Sequence, residues 1–407
     1  MPRPPAPPKL DLGVIETTIE RIVPGGYGLA HTTGRTLFVA GAAPGDRVKV
    51  RAGRVKGSVA WARVEEVLEA GPDRVEPEFP EVAACGIADF AHLRYEAQLV
   101  AKAAIVRDAL GRIGGIDVAE DLSVLPSPDQ WHYRSRAEWA FDPNVPAFGF
   151  RAAGSRRVCD VASDPFVVPA LVPVFSGLRE AAMQGRLPDE VHEYHAAAAG
   201  DAVSVHPGPD GADPETIVAV VGEDRLRYDA RSFFQANESM LEPLVAEALR
   251  FADAPETGEG LAIDLFAGVG LFTLPLARRF RRTIGVEADT ASAMFAQMNA
   301  ADAGLTNVRI APQPVEEWLA GAYRSHGRPP FLLLDPPRTG LHPVALRGIL
   351  RLKPGRIAYV SCDPATLARD LKAMLAGGYA LDDLAALDLF PQTHHVETVA
   401  HLVRADG

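Results

Sequence analysis

Cysteine is scarce in this 407-residue chain: only Cys85, Cys159 and Cys362 occur. An odd number of widely spaced cysteines argues against a disulfide framework and for a reducing compartment. Long apolar runs are missing too. No stretch approaches the roughly 18 residues that a membrane span requires, and the N-terminus has no apolar core followed by a small-residue cleavage site, so no secretion signal is expected. Basic charge is in deficit, with 41 Lys and Arg against 53 Asp and Glu, a net charge of −12. Taken alone, that balance disfavours a nucleic-acid partner, because phosphates favour basic surfaces.

The remaining composition is that of an ordinary globular protein, 47% hydrophobic and long enough for two or three domains. Residues 1–10, MPRPPAPPKL, read as a flexible tail. The basic residues cluster: Arg47, Lys49, Arg51, Arg54 and Lys56 fall within ten positions, and Arg134, Arg136, Arg151, Arg156 and Arg157 form a second group. On charge alone these are two solvated faces.

Residues 11–70 alternate short apolar runs with Gly- and Pro-rich turns, the pattern of a small closed β-barrel. Gly71-Pro72 marks a boundary. From Tyr95 to Ile113, Leu99, Ala103, Val106 and Leu110 recur at helical steps. The region 71–230 includes this helix and then reads as β-rich and irregular. From 231 to 407, LAIDLF (261–266), TIGVE (283–287), FLLLD (331–335) and IAYVS (357–361) read as buried parallel strands between helices at 271–280, 290–303, 343–351 and 364–376. Such alternation predicts an α/β, doubly wound, Rossmann-like sheet.

The first of these strands runs into Asp264-Leu265-Phe266-Ala267-Gly268-Val269-Gly270, where glycine lets the backbone approach a ligand. Glu287 ends the next strand, placed to accept both hydroxyls of a ribose. The spacing does not separate a nicotinamide site from an S-adenosylmethionine site. The missing third glycine, at Thr273, favours the latter, which has no phosphate to cradle. Asp335, before Pro336-Pro337-Arg338, and Cys362, in Ser361-Cys362-Asp363-Pro364, both end strands on the same rim. A lone cysteine is more often a small core residue than a nucleophile, but a following helix N-terminus is expected to lower its thiol pKa. Glu397 stands at the entry to a last strand. The neighbouring His394 and His395 have no evident third ligand, so no metal is expected.

Five segments stand in order: Phe233-Phe234-Gln235-Ala236-Asn237, the 264–270 loop, Asp335-Pro336-Pro337-Arg338, Ser361 to Asp370, and His395-Val396-Glu397-Thr398. Together they resemble the S-adenosylmethionine-dependent RNA (uracil-5-)-methyltransferase family, and the first barrel resembles the TRAM domain, an oligonucleotide-binding module. The resemblance implies a covalent nucleophile at Cys362 and a proton-removing base at Glu397. It implies cofactor contacts from Gln235, Phe266, Leu271, Glu287 and Asp335, with Asp335 also helping to hold the uracil edge. The RNA would be transfer or ribosomal, and the protein a cytoplasmic monomer. Many members carry Asn where Leu271 stands, so one polar cofactor contact is lost. Some hold a four-cysteine iron–sulfur cluster. Here only Cys85 matches, the other positions being Phe79, Ala88 and Asp164, so no cluster is expected. An amino-group methyltransferase, a non-catalytic RNA-binding protein and, more distantly, a nicotinamide-dependent oxidoreductase are the competing readings.

Overall fold

The structure, a computed structural model, describes residues 13–208, 211–253 and 260–405; the stretch at 1–10 lies outside the described residues. The chain divides into two compact units, Met1–Asp108 with Gln392–His394, and Ala109–Pro391 with His395–Gly407.

The first unit holds a six-stranded sheet of Val14–Thr18, Arg21–Val23, Tyr27–Thr32, Arg35–Ala40, Arg47–Lys56 and Val59–Glu69. Val14–Thr18 pairs with Arg47–Lys56 at one edge, and Arg21–Val23 pairs with Tyr27–Thr32 at the other. These two edge strands are one chain segment bent at Ile19–Glu20, so the sheet closes on itself as the turn spacing predicts. Alternate side chains point inward: Ile19, Ala30, Leu37, Val39, Val48, Val50, Ala60 and Ala62 fill the interior. Asp46 pins the barrel to the chain beyond it. Its buried carboxylate accepts from the Ala43 and Gly71 amides at 2.6 and 2.8 Å and pairs bidentately with Arg74. Gly71 is required there, since a Cβ would meet the Pro44 carbonyl oxygen at 2.2 Å. The helix expected from Tyr95 is an α-helix over Tyr95–Ala109, followed by a π turn at Leu110–Gly114.

The second unit contains two sheets and a hairpin. A five-stranded antiparallel sheet runs in the order Val158–Asp160, Ala147–Arg151, Arg136–Asp142, Glu193–Ala199, Ala202–His206. It packs Trp139 and Phe148 against Phe175 of the helix Val172–Met183, with ring centroids 5.3 and 5.4 Å from Phe175. The eight-stranded sheet runs in the order Val308–Pro312, Arg282–Glu287, Leu261–Leu265, Phe331–Leu334, Arg356–Ser361, Glu397–Arg404, Tyr379–Leu387, Val124–Leu125. Its first five strands are parallel, and Glu397–Arg404 is antiparallel to both neighbours. Leu261–Leu265 is buried along its whole length, as a central parallel strand covered on both faces must be. The chain winds outward from this strand in both directions, the Rossmann-like arrangement expected, and a crevice opens at the carboxyl ends where the order reverses.

Candidate active site

Five strand ends and one preceding loop meet at that crevice. Leu265 lies beside both Val286 and Leu334, so the residues that follow them, Phe266, Glu287 and Asp335, emerge together. Phe266 takes a left-handed φ of +68°, turning the chain so that its amide and that of Ala267 both donate to the Val286 carbonyl, at 2.9 and 3.0 Å. Gly268 follows at φ +54°, and its amide donates to Glu287 Oε2 at 2.8 Å; Asp289 donates to Oε1 at 2.7 Å. Glu287 is thereby fixed with lone pairs still free on each oxygen, a pair of acceptors suited to the two hydroxyls of a ribose. On the crevice wall, Gln235 Nε2 donates to Asp335 Oδ2 at 3.2 Å.

Cys362 and Glu397 are placed by strand register. Arg356–Ser361 and Glu397–Arg404 are antiparallel, with Ser361 opposite Thr398. The next residue along each strand is Cys362 on one side and Glu397 on the other. Thr398 Oγ1 donates to the Ser361 carbonyl at 2.9 Å and ties the two ends together. The resulting cleft, about 680 Å³, is lined by Gln235, Phe266, Glu287, Asp335, Cys362 and Glu397, along with Arg338 and other residues. Leu271 is not on its wall; it is buried in the hydrophobic core with Phe272 and Leu274.

The cleft's electrostatics correct one expectation. The helix Pro364–Ala376 does begin just after Cys362, but the thiol is not lowered. Burial pushes it up to about 12, the Glu397 and Asp335 carboxyls push the same way, and the Arg338 guanidinium opposes them. The helix start does not offset this burial. Asp363 Oδ1 takes the amides of Ala365 and Thr366, at 3.0 and 2.8 Å, so the helix's donors serve a carboxylate rather than the sulfur. Burial likewise raises the Asp335 carboxyl to about 7 and raises Glu397, which is 1% exposed, well above the usual carboxylate range. Cys362 is a free cysteine among the described residues.

Two clusters singled out by sequence are engaged elsewhere. His394 bonds to Asp89 at 2.5 Å within the first unit, and His395 stands edge-on to Phe390 in the second. Asp164 accepts from Trp139 Nε1 at 2.8 Å and from the Phe166 amide at 2.9 Å. The sequence reading missed Phe233 and Phe390. Phe233 stands on the cleft wall with 66% of its surface exposed, a costly place for an aromatic ring with nothing to stack on. Its signal was available, since it opens the quoted Phe233–Asn237 segment; Phe390 carried none.

Known proteins resemble this chain along most of its length. Residues 217–405 match the family model for tRNA (uracil-5-)-methyltransferases. An uncharacterized RNA methyltransferase of Gloeobacter violaceus is 32% identical, covering 96% of each chain. The 23S rRNA (uracil(1939)-C(5))-methyltransferase RlmD of Pectobacterium atrosepticum is 30% identical over 97% of this chain and 94% of its own. The crystal structure of Pyrococcus abyssi tRNA (uracil-54, C5)-methyltransferase in complex with S-adenosyl-L-homocysteine superposes with a TM-score of 0.73. It is 26% identical, with coverage of 95% of this chain and 99% of that one.

Proposed function

Because the chain belongs to the tRNA (uracil-5-)-methyltransferase family, we propose that it transfers a methyl group from S-adenosylmethionine to C5 of a uridine in transfer or ribosomal RNA, through a covalent adduct of Cys362. The observation that carries this reading is the register that sets Cys362 opposite Glu397 beside the anchored Glu287.

The residues fit the donor. Glu287 receives the ribose hydroxyls, and Phe266, Gln235 and Asp335 line the same cleft. Bound there, S-adenosylmethionine supplies an electrophilic methyl group. Uracil C5 is too weak a nucleophile to accept that group directly. The Cys362 thiolate adds to C6, and the electron pair of the C5–C6 bond moves into the C4 carbonyl, making C5 enolate-like. Once C5 is methylated, Glu397 takes its remaining proton. The C–H electrons re-form the C5–C6 bond and expel the sulfur as thiolate, so the enzyme is regenerated. Asp335 holds the uracil edge. A stacked base cannot reach this pocket, so the target nucleotide leaves its helix. Phe233 at the rim offers a face for a base to stack on.

The domains divide the work. Residues 11–70, a TRAM-like barrel, and 71–230 hold RNA; 231–407 bind the donor and carry the chemistry. Every group in the scheme comes from one chain, in keeping with a monomer working on cytoplasmic RNA.

The test uses substrate RNA containing 5-fluorouridine and the methyl donor. Fluorine at C5 cannot leave as a proton, so the adduct is expected to stall and to map by mass spectrometry to Cys362. If no adduct forms at that residue, the mechanism fails. If Cys362→Ala keeps full methylation activity, the chemistry belongs instead to an amino-group acceptor.

A further inference from the structure

The outer face of the barrel is not uniform. Along Arg35–Ala40 and Val59–Glu69, alternate residues point inward (Leu37, Val39, Ala60 and Ala62), so Phe38 and Trp61 point outward. The parallel register sets Phe38 directly beside Trp61, and the antiparallel register sets Trp61 beside Arg54. The two rings lie 5.9 Å apart at 63°, Tyr27 extends the row at 6.3 Å from Phe38, and Arg54 Cζ sits 4.7 Å from the Trp61 ring centroid. Three half-exposed aromatic rings and a guanidinium thus form one strip across adjacent strands.

Charge on the barrel is divided in the same way. The basic strand that stands out in the sequence is largely neutralised at its start: Arg47 pairs with Glu16 and Glu69, Lys49 with Glu66, and Arg51 with Glu65. Arg54, Lys56 and Arg63 are exposed, border the aromatic row, and make no ion pair among the described residues. In a chain of net charge −12, a cationic patch without carboxylate partners is one that selection has not neutralised.

Resting on the reading of this barrel as an RNA-binding module, we propose that the Tyr27–Phe38–Trp61 row with Arg54, Lys56 and Arg63 is a stacking platform for a single-stranded stretch of the RNA substrate. Aromatic faces accept unpaired bases of any sequence, and the flanking cations follow the phosphates. A duplex offers no free base face to such a row, which sets the platform apart from a general cationic surface. The paired start of Arg47–Lys56 contributes little, because a phosphate there must first displace a carboxylate.

The test is fluorescence anisotropy of the full-length protein with a labelled dodecamer of oligouridylate over a salt series. Trp61→Ala is expected to weaken binding about tenfold. The double variant Arg54→Glu/Lys56→Glu, changed only at exposed positions, is expected to weaken it at least tenfold and to flatten the log–log salt slope by about 1.4. Lys49→Ala/Glu66→Ala, which removes one of the ion pairs at no cost in net charge, is expected to change affinity less than twofold. Undiminished binding in Arg54→Glu/Lys56→Glu, or equal losses in all three variants, overturns the platform and leaves the aromatic row to a protein partner. Methyl transfer to RNA is assayed in parallel. Its absence in the unaltered protein sinks the proposed activity, while the oligouridylate affinities still decide the platform.

Discussion

Cys362 and Glu397 occupy facing ends of two antiparallel strands, one residue beyond the Ser361–Thr398 pair, so the thiol and the carboxyl share one small volume. Burial and the Glu397 carboxylate raise the cost of ionising the thiol, and burial and Asp335 raise that of ionising Glu397. The Glu397 carboxyl is among the groups that push the thiol up, and Arg338 is the cation opposing it. The Cys362 thiol therefore keeps its proton, and a positive charge brought into the cleft or a neutral Glu397 makes its ionisation easier.

Replacing Glu397 with Gln removes that carboxylate. The pH profile for alkylation of Cys362 by iodoacetamide is expected to move to lower pH, because the thiolate no longer faces a second negative charge. Methyl transfer is expected to fall about a hundredfold or more, with the RNA adduct accumulating because its C5 proton has no acceptor. An unmoved alkylation profile would show that the two groups are not coupled.

Ligand charge is expected to act in the same way. Sinefungin carries an amine cation where S-adenosylhomocysteine has a neutral sulfur. The Cys362 alkylation profile is expected to shift to lower pH with sinefungin and to shift less with the homocysteine product. Identical profiles with the two ligands would mean that the donor's charge does not reach the thiol.

Asp264 gives a stability test. Its Oδ2 accepts from Thr273 at 2.5 Å, its Oδ1 is buried without a partner, and burial raises the carboxyl to about 8. In the unfolded chain an aspartate titrates at about 3.9. Folding therefore binds a proton, and the contribution to stability is full below about pH 4 and is lost as the pH climbs to about 8. Asp264→Asn, which keeps the shape without the charge, is expected to flatten the fall in urea midpoint between about pH 4 and pH 8. A variant as pH-sensitive as the parent would refute the assignment.

Asp46 acts in the opposite direction. Burial alone would raise its carboxyl, but Arg74 and the Gly71 and Ala43 amides outweigh that and hold it below the usual range. Its contribution is present at neutral pH and is lost in acid, as the pH falls through the lowered value. Asp46→Ala leaves two buried amides and a guanidinium without their acceptor, at a cost of about 3 kcal/mol. Hydrogen exchange along Arg47–Lys56 is expected to accelerate; unchanged protection there would show that the barrel does not depend on this carboxylate.

Strands with strong patterning were legible in the sequence. Leu261–Leu265, Arg282–Glu287, Phe331–Leu334 and Arg356–Ser361 lie within a residue of the expected runs, because a parallel strand covered on both faces must be apolar throughout. Val308–Pro312 and Tyr379–Leu387 escaped notice. Tyr379–Leu387 is buried only at Tyr379, Ala386 and Leu387, lies beside a two-residue partner strand, and carries Asp382 and Asp383 in mid-strand. The helix Val172–Met183 was hidden by Pro173 near its start, where proline is tolerated because the first turn has no hydrogen-bonded amides.

The sequence by itself determined the inventory of chemistry: a thiol, a carboxyl at the entry to a strand, a glycine turn with an acidic partner, and their order along the chain. Those follow from residue identity and local patterning. Tertiary structure alone decided that Cys362 meets Glu397, because cross-strand register is a long-range choice made when the sheet assembles. It also decided that the thiol is raised rather than lowered, since burial acts through the whole surroundings and the cap only through its neighbours. Leu271 went to the core for the same kind of reason: its neighbours in space, not in sequence, set its environment.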